Sequence, residues 1–416
     1  MGQWGWKMKR HNDVIVSIDI GTSKISVLVA QAIDSENVEI LGVGKSPSDG
    51  LSKGVVVDIA KTTHSIKKAV KEAEIMSGCQ IQSANIGISG AHIHSRNSQG
   101  VVALKKGEVT DVDIARVIES AKAVPLEQGQ QILHVLPQYY IIDGGDKLID
   151  PRGMFGVRLE AQVHIITGAI ASVQNLVRCC ESAGVTVVDV VLEQLASAYA
   201  VLSPDERQLG VGMLDIGGGT SDLAIYQNGS IRHTMVLPIA GSHFTNDLAI
   251  GLCITRSDAE RIKKEYGVCY RPRSLQTQDI EVEAVQGEAK KIISSKDILV
   301  ILEPRAVELL SFVQENVDKY NMQSCMPAGL VLTGGGSLLQ GMQELSSDIF
   351  GCSVRTAIPR LQHTGLESLD HPMYATGYGL LLYALKKYDT AHMQRLTGPM
   401  VTRVFARMKS WVSDFF

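Results

Sequence analysis

The sequence contains no segment with the length and composition of a membrane-spanning helix. No run approaches the roughly 18 consecutive apolar residues that such a helix needs, and residues 1–11 are polar and basic, without the apolar centre of a secretory signal. The net charge of −4 on 416 residues gives no basic excess, so no nucleic-acid partner is expected. We therefore expect any membrane contact to be peripheral.

Cysteine is scarce, and its spacing fits neither a disulfide framework nor a zinc site. The seven cysteines are odd in number, scattered, and free of any C-x-x-C pair. This pattern favours reduced thiols in a cytosol. The length exceeds what one hydrophobic core usually organises, so two lobes with a cleft between them are the default expectation.

One glycine-rich stretch, LDIGGGTSD at 214–222, lies between two apolar runs and carries an acid near each end. The runs have strand length and composition, so the three glycines predict a tight strand-to-strand turn. Successive N–H groups in such a turn bind anions. Asp215 would then face a phosphate-bound Mg²⁺, which keeps several waters and needs few protein oxygens. An ordinary hairpin with a glycine loop is the alternative.

The same pattern recurs twice. The sequence DIGTSK at 19–24 lies between apolar runs at 14–18 and 25–30, again as strand, turn and strand. A third turn, TGGGS at 333–337, follows a strand and leads into a helical stretch at 338–345, which Ser337 is predicted to cap. Two duplicated lobes with a nucleotide clamped between them explain all three turns.

These turns resemble the phosphate-1, phosphate-2 and adenosine motifs of the actin, Hsp70 and sugar-kinase superfamily. Within it, the order of segments is similar to that of the FtsA family of bacterial cell-division actins. The resemblance implies an α/β fold, with two actin-like, duplicated ribonuclease-H-like lobes around a cleft for ATP and Mg²⁺. Asp19 and Asp215 are the implied metal ligands, directly or through water. The implied nucleotide contacts are Asp19, Gly21, Thr22, Ser23, Lys24, Asp215, Gly217, Gly218, Gly219, Thr220, Glu260, Lys263, Gly334, Gly335, Gly336 and Ser337.

The resemblance also implies a division of the chain into lobes. The expected first lobe is 12–89 with 165–205, and the second is 206–240 with 304–385 and a smaller subdomain at 241–303. The segment 90–164 reads as an inserted αβ unit, with strands at 101–104, 131–142 and 157–166 and a helix at 112–123. It resembles the subdomain through which the family contacts neighbouring subunits and later division proteins. Residues 165–169 are expected to resume the first lobe.

Two of the implied roles have ordinary alternatives. Glu193 begins a helix where the superfamily uses a carboxylate to position the attacking water, but Gln194 stands in place of the usual proline. A plain N-terminal helix acid is the alternative. Glu260 and Lys263 lie in an E-R-I-K segment that resembles the adenosine contact of bacterial actins, and the alternative is the charged solvent face of an amphipathic helix.

Arg305 is a third position with two interpretations. It follows Pro304, which is predicted to open a helix over 305–317, and it matches a basic position that the family uses around the acidic tail of the tubulin homologue FtsZ. A local pair with Glu308 is the alternative.

The C-terminal end reads as an amphipathic helix at 399–416, after a polar linker at 386–398. Its apolar residues fall within an arc of roughly 140°, and basic residues occupy the other side, which favours a helix lying in an anionic membrane surface. A terminal helix packed on the core is the alternative. The apolar set is Val401, Val404, Phe405, Met408, Trp411, Val412, Phe415 and Phe416, and the basic set is Arg403, Arg407 and Lys409.

The resemblance implies an ATP-binding protein that polymerises at the cytoplasmic face of the bacterial membrane. It would tether the FtsZ ring through its C-terminal helix, help recruit later division proteins at the division site, and hydrolyse ATP slowly at most. A sugar or acid kinase, an Hsp70-type chaperone and a shape-determining actin such as MreB are the alternatives within the superfamily.

Overall fold

A computed structural model describes residues 14–34, 37–105, 107–270, 278–283, 290–360 and 369–397. The predicted amphipathic helix at 399–416 lies outside these residues. In chain order the strands are β1 (Val14–Ile20), β2 (Lys24–Ala32), β3 (Val38–Pro47), β4 (Leu51–Ser52), β5 (Val55–Val56), β6 (Ser83–Ile88), β7 (His94–Ala103), β8 (Gln130–Ile142), β9 (Arg158–Ala169), β10 (Thr186–Leu192), β11 (Val211–Ile216), β12 (Ser221–Gln227), β13 (Ser230–Leu237), β14 (Asp279–Glu283), β15 (Lys290–Ser294), β16 (Leu330–Thr333) and β17 (Val354–Thr356). The helices are α1 (Ile59–Ser77), α2 (Asp111–Lys122), α3 (Ile170–Ser182), α4 (Glu193–Val201), α5 (Pro204–Leu209), α6 (Gly241–Leu252), α7 (Arg256–Tyr266), α8 (Ser295–Lys319), α9 (Met342–Phe350) and α10 (Ala375–Thr397).

Two five-stranded sheets repeat one topology, which confirms the predicted duplicated α/β fold. Their orders are β10-β6-β1-β2-β3 and β13-β12-β11-β16-β17. In each sheet three consecutive strands form an antiparallel meander, and the first of them also pairs in parallel with a later strand. Asp19 and Asp215 occupy the same place, one residue before the end of β1 and of β11. Each acid is therefore delivered to the edge where a glycine turn begins.

Helix α1 shows how the first sheet is covered. Asp58 caps its N-terminus by accepting from Lys61 N–H, and Gly78 ends it in the left-handed region. Its buried stripe includes Ile66, Ala69 and Ala73, at helical spacing. Gly44 on β3 allows this close contact, because a Cβ there would stand 1.9 Å from the Ala69 carbonyl oxygen.

The inserted unit is a three-stranded antiparallel sheet, in the order β7-β9-β8, covered by α2. Strand β9 runs without a break to Ala169 and pairs along its whole length with β7 and β8. Residues 165–169 therefore pair within the sheet of the insert, whereas the buried Ile166 side chain packs in the core cluster that contains Ile18 and Ile66 of the first lobe; that this segment resumes the first lobe stays a prediction. The sequence did not predict one continuous strand here, because a long strand and two shorter strands in succession have the same apolar composition.

Two predicted boundaries in helical segments also differ. Pro304 lies inside α8 rather than at its start, since a capping box between Ser294 and Asp297 begins that helix ten residues earlier. Residues 386–397, predicted as a polar linker, continue α10 as helix. They contain no glycine or proline before Gly398, so nothing local ends the helix.

Candidate functional site

The two strand-to-strand turns meet each other. Gly21 N–H donates to the Lys24 carbonyl at 3.0 Å, and Gly217 N–H donates to the Thr220 carbonyl at 2.9 Å, so both turns are closed by the same bond. A Cβ on Gly218 would lie 1.9 Å from Ser23 Oγ, and one on Gly219 would lie 2.3 Å from Thr22 Oγ1. Glycine at these positions is what lets the two lobes approach at this point.

The third turn packs against the end of β11. A Cβ on Gly334 would stand 2.2 Å from Asp215 Oδ1, and one on Gly336 would stand 2.4 Å from Ile216 Cγ2. Gly334 also has a φ of +79°, which favours glycine. Gly335 is different, because a Cβ there would meet nothing within 4 Å. The glycines at 334 and 336 therefore close the turn onto Asp215, while Gly335 leaves open space.

Ser337 does not cap the following helix as predicted. Its Oγ donates to the Gly334 carbonyl at 2.7 Å, which stabilises a short 3₁₀ turn over 335–338. Helix α9 begins only at Met342, after Gly341 in a left-handed conformation. Ser337 thus stabilises the turn to which it belongs and does not cap the next helix.

Asp19 and Asp215 are buried at the cleft and each is held in place by hydrogen bonds. Asp19 accepts from Lys24 Nζ at 2.8 Å and from Ser26 Oγ at 3.3 Å. Asp215 accepts from Ser197 Oγ at 2.6 Å and from a second hydroxyl, Thr376 Oγ1, at 3.2 Å. The two acids were predicted, whereas Ser197 was missed because an isolated serine on a helix carries no sequence signal.

Two more carboxyl groups belong to the same cluster. Asp222, at the start of β12, accepts from Ser89 Oγ of the first lobe at 2.5 Å. Burial raises the pKa of Asp222 to about 7; the bond from Ser89 opposes this shift and the charge on Asp215 adds to it. Glu193 is half-buried at the first position of α4, and burial followed by the charges on Asp19 and Asp222 raises its pKa as well. Burial likewise raises the pKa of Asp215, against the bond from Ser197.

Crowding of four carboxyl groups is costly unless positive charge or protons offset it. Lys24 lies among them, and its positive charge partly opposes the rise in the pKa of Glu193 and of Asp215. In the part of the chain that the structure describes, no three His, Cys, Asp or Glu side chains converge on one point as a metal-binding group. Two carboxylates such as Asp19 and Asp215 suit a cation that takes few protein oxygens and completes its coordination with water and phosphate, as Mg²⁺ does.

Glu260 and Lys263 lie beside the second glycine turn. Lys263 Nζ donates to Glu260 at 2.7 Å, to Thr245 Oγ1 at 2.8 Å and to the Gly241 carbonyl at 3.0 Å. Gly241 N–H in turn donates to the Gly217 carbonyl at 3.0 Å. Lys263 is 16% exposed, so it is not one of the solvent-facing charges of α7. The E-R-I-K segment is thus joined to the glycine turn by hydrogen bonds.

Helix α10 joins both lobes at the bottom of the cleft. Thr376 reaches Asp215 of the second lobe, and the Gly377 carbonyl accepts from Ser17 Oγ of the first lobe at 2.7 Å. Gly379 faces α4 so closely that a Cβ would lie 1.8 Å from the Ala196 carbonyl oxygen. The small residues of the A-T-G-Y-G segment at 375–379 were the signal for this packing, but Thr376 itself was not predicted as a site residue.

Arg305 is held by two acids on the second lobe. It donates to Asp247 at 2.5 and 3.1 Å and also pairs with Glu308. The local pair that was the alternative interpretation is therefore present. The Arg305 side chain is 26% exposed, so it remains accessible to a partner.

Family models match two segments of the chain. One, described as "Cell division protein FtsA", matches residues 212–379, and the other, "SHS2 domain inserted in FTSA", matches residues 90–167. A cell division protein FtsA of Pseudomonas aeruginosa is 42% identical over 409 residues, covering 97% of this chain and 98% of the relative. The chain belongs to the FtsA family. This confirms the resemblance drawn from the glycine turns and makes the chain an actin-like cell-division protein.

Other relatives and solved structures agree. FtsA of Bacillus subtilis is 38% identical, covering 90% of this chain and 84% of its own, and FtsA of Escherichia coli is 36% identical, covering 97% and 98%. Among solved structures, the PilM-PilN type IV pilus biogenesis complex matches with a TM-score of 0.66 at 19% identity, over 89% of this chain and 98% of that one. MreB5 of Spiroplasma citri bound to ADP matches with a TM-score of 0.57 at 15% identity, over 94% and 100%. These two similarities show the actin-like fold.

No helix among the described residues is long and apolar enough to cross a bilayer.

Proposed function

We propose that this FtsA-family chain binds ATP with Mg²⁺ between its two lobes and uses the nucleotide to control assembly on the membrane. The observation that carries the proposal is the meeting of two glycine turns, each preceded by a buried acid, with a third glycine turn packed on Asp215. Turns of this kind present N–H groups to phosphate oxygens. The fold neighbour from Spiroplasma citri is described as bound to ADP, which supports the same site here.

Within this proposal each turn has one task. The turns at 21–24 and 217–220 hold the phosphates, and the turn at 334–337 together with Glu260 and Lys263 holds the adenosine. Asp19 and Asp215 hold the cation, directly or through water, and the cation supplies positive charge that a cluster of carboxyl groups and phosphates requires.

The variant Asp215→Asn tests the site. An asparagine oxygen still accepts from Ser197 and Thr376, so the fold is preserved while the negative charge is lost. We expect ATP affinity, measured by titration calorimetry with Mg²⁺, to fall at least tenfold, and the difference to shrink in EDTA. Asp146→Asn, an exposed loop acid, is the matched control. Equal affinity for the Asp215 variant and the wild type would refute the site.

We propose that hydrolysis is slow. Glu193 lies beside the cleft, where burial and the charges on Asp19 and Asp222 raise its pKa, and a shift in this direction works against the ionised carboxylate that positions an attacking water. The residue after it is Gln194 instead of the proline usual in the superfamily. A turnover near 10 per second, as in metabolic enzymes, would contradict a switch and favour the kinase alternative. Transfer of phosphate from ATP to a small molecule would establish the kinase alternative.

We propose that residues 399–416 anchor the protein to the cytoplasmic face of the membrane. The support is the sequence pattern, with Trp411 and two terminal phenylalanines on one face and three cations on the other. Each cation near an anionic surface contributes about 1 kcal/mol. One short helix binds reversibly, and assembly into a polymer would multiply its effect through avidity.

Deleting 399–416 separates the anchor from a core helix. If the segment packed on the core, its loss would remove large apolar contacts, each worth about 2–5 kcal/mol, and melting would occur earlier. We expect unchanged melting and unchanged ATP binding, together with loss of co-sedimentation with anionic liposomes. Trp411→Glu in the full chain should release the protein from lipid in the same way. A truncated protein that still binds vesicles would refute the anchor.

We further propose that Arg305 contributes to binding the acidic tail of FtsZ and that the insert at 90–167 contacts later division proteins. Because Arg305 is already positioned by Asp247, it loses little side-chain entropy on meeting another carboxylate. Arg305→Gln should weaken binding of an FtsZ tail peptide in fluorescence anisotropy. Arg261→Gln, on the exposed side of α7, is the control, and an equal effect of both changes would argue against a specific role.

A further inference from the structure

A surface cleft of about 350 Å³ lies where the insert meets the second lobe, away from the glycine turns. One side is formed by β7, β8 and β9, and the other by the β12–β13 hairpin and the turn that follows α8. Half of the lining side chains are carboxamides, namely Asn97, Gln138, Gln162, Gln227 and Asn228. Gln138 and Asn97 bond mainly within the protein, so the carboxamides of Gln162, Gln227 and Asn228 are the ones that offer paired donors and acceptors to a ligand.

Two cations share one aromatic ring in this cleft. Lys147 Nζ lies 4.6 Å and the Arg232 guanidinium carbon 5.5 Å from the centre of the Tyr139 ring. Of the acidic side chains that the structure describes, none lies within ion-pair distance of either cation. Arg232 Nε is also buried with no acceptor among the described residues. That atom is not accessible from the cleft, but two neighbouring cations over one ring favour an oxyanion on this side.

The wall behind Tyr139 is fixed by a hydrogen-bond network that crosses from the insert to the second lobe. Gln138 Nε2 donates to the Ile231 carbonyl at 2.8 Å and to Asn97 Oδ1 at 3.1 Å. His164 bonds Asn97 Oδ1 through Nδ1 at 2.7 Å and Thr234 Oγ1 through Nε2 at 2.9 Å. Burial lowers the pKa of His164 to about 3, so the network contains a neutral imidazole at cellular pH. The cleft is thus preorganised.

We propose that this cleft binds an acidic peptide segment in an extended conformation, with a carboxylate side chain between Lys147 and Arg232. Carboxamide side chains donate and accept together, as peptide groups do, so they match the backbone of an extended chain. Guanidinium and carboxylate form charge-assisted bonds that are stronger than neutral ones. Both cations are already oriented over Tyr139, which lowers the entropy cost of binding.

The same features disfavour a free phosphate as the natural ligand. The lining consists of side chains from strands, a hairpin, a loop and the turn after α8, without the glycine turn that gathers N–H groups around phosphate in the nucleotide site. Carboxamides beyond the reach of a small anion would remain unused. A peptide uses both the charged end and the carboxamide wall.

Binding of a rhodamine-labelled hexaglutamate peptide to the full chain tests the proposal by fluorescence anisotropy at low salt. We expect saturable binding, weakened about tenfold by Lys147→Gln and similarly by Arg232→Gln. Lys71→Gln and Arg178→Gln remove equal charges from exposed helix positions in the first lobe and are the controls. Lys147 is exposed in a loop, so its variant keeps the test valid even if Arg232→Gln fails to fold.

Several outcomes would overturn the proposal. An equal loss in the two controls would mean that the peptide senses only overall charge. No saturable binding up to millimolar peptide, or hexaglutamine binding as well as hexaglutamate, would exclude a carboxylate site. Inorganic phosphate competing at concentrations similar to those of the peptide would identify a small-anion site instead. If ATP displaced the peptide and the Asp215→Asn change weakened that displacement, the peptide would be binding in the nucleotide cleft.

Discussion

The buried carboxyl group of Asp222 is expected to make stability depend on pH in the nucleotide-free protein. Its pKa is about 7 in the folded protein, against an ordinary value of 3.8. A raised pKa means that the folded state holds the proton more tightly than the unfolded state. The resulting stabilisation is fully present below pH 3.8 and is lost as the pH rises through 7.

The size of the Asp222 pKa shift determines how much the free energy of unfolding changes with pH. About three pH units at 1.36 kcal/mol each give a loss of up to about 4 kcal/mol across the whole window, and roughly 2–3 kcal/mol of it falls between pH 5 and pH 8. Asp222→Asn keeps an oxygen that accepts from Ser89 but cannot ionise, so it should lack this loss. For a lobe of about 200 residues, 2–3 kcal/mol corresponds to roughly 4–12 °C in melting temperature.

Thermal melting in EDTA at pH 5, 6, 7 and 8 measures the effect. We expect the variant to gain on the wild type steadily from pH 5 to 8. Asp146→Asn, an exposed loop acid, is the control and should run parallel to the wild type. Parallel profiles for Asp222→Asn and the wild type would refute the reasoning, because they would mean that Asp222 is ionised in the folded protein throughout.

Two further predictions concern the same cleft. Gly218→Ala should lower the melting temperature and weaken ATP binding, because the new Cβ would meet Ser23 Oγ at 1.9 Å. Adding Ser23→Gly should restore the melting temperature, and a lack of rescue would argue against this contact. Gln194→Met should raise the melting temperature by a few degrees, because the buried carboxamide of Gln194 has no hydrogen-bond partner among the described residues and such a group costs about 1–3 kcal/mol. A lower melting temperature would instead reveal a buried water or other partner.

The sequence predicted the parts of the site that depend on local backbone chemistry. An acid at a strand end followed by glycines is a contiguous signal, so Asp19, Asp215 and the three turns were found directly. Their hydroxyl partners could not be found in this way. Ser197 and Thr376 are 179 residues apart in the chain and meet on one carboxylate oxygen of Asp215 only through tertiary packing.

The differences between predicted and observed helices and strands have a similar origin. Strand β9, with 12 residues, finds partners over its length because β7 and β8 have 10 and 13 residues, and no local pattern reveals those partners. Pro304 is a strong helix-start signal, yet the capping box at Ser294 and the buried apolar face of α8 outweigh it. Residues 386–397 extend α10 because several of them have good helix propensity. The linker was predicted from their polarity alone.

Helix α10 is the element through which the site and the C-terminal end are physically joined. It contacts Asp215 at Thr376 and runs to Thr397, about 30 Å further along its axis. Lys387 also pairs with Asp189 of β10 at 2.6 Å, so the helix is held to the first lobe beyond the hinge. A change in the angle between the lobes would therefore move the base of the segment that we propose as membrane anchor.

Gly379→Ala tests this junction. Alanine favours a helix by up to about 1 kcal/mol over glycine, but here its Cβ would lie 1.8 Å from the Ala196 carbonyl oxygen, a backbone atom that cannot rotate away. Overpacking of this kind costs typically about 1–3 kcal/mol, so we expect a lower melting temperature together with weaker ATP binding. Gly251→Ala in α6 is the matched control, because its Cβ would meet only the flexible end of Ile301 at 2.8 Å. If Gly379→Ala melted and bound ATP like the wild type, close packing of α4 on α10 could not be what holds Thr376 against Asp215.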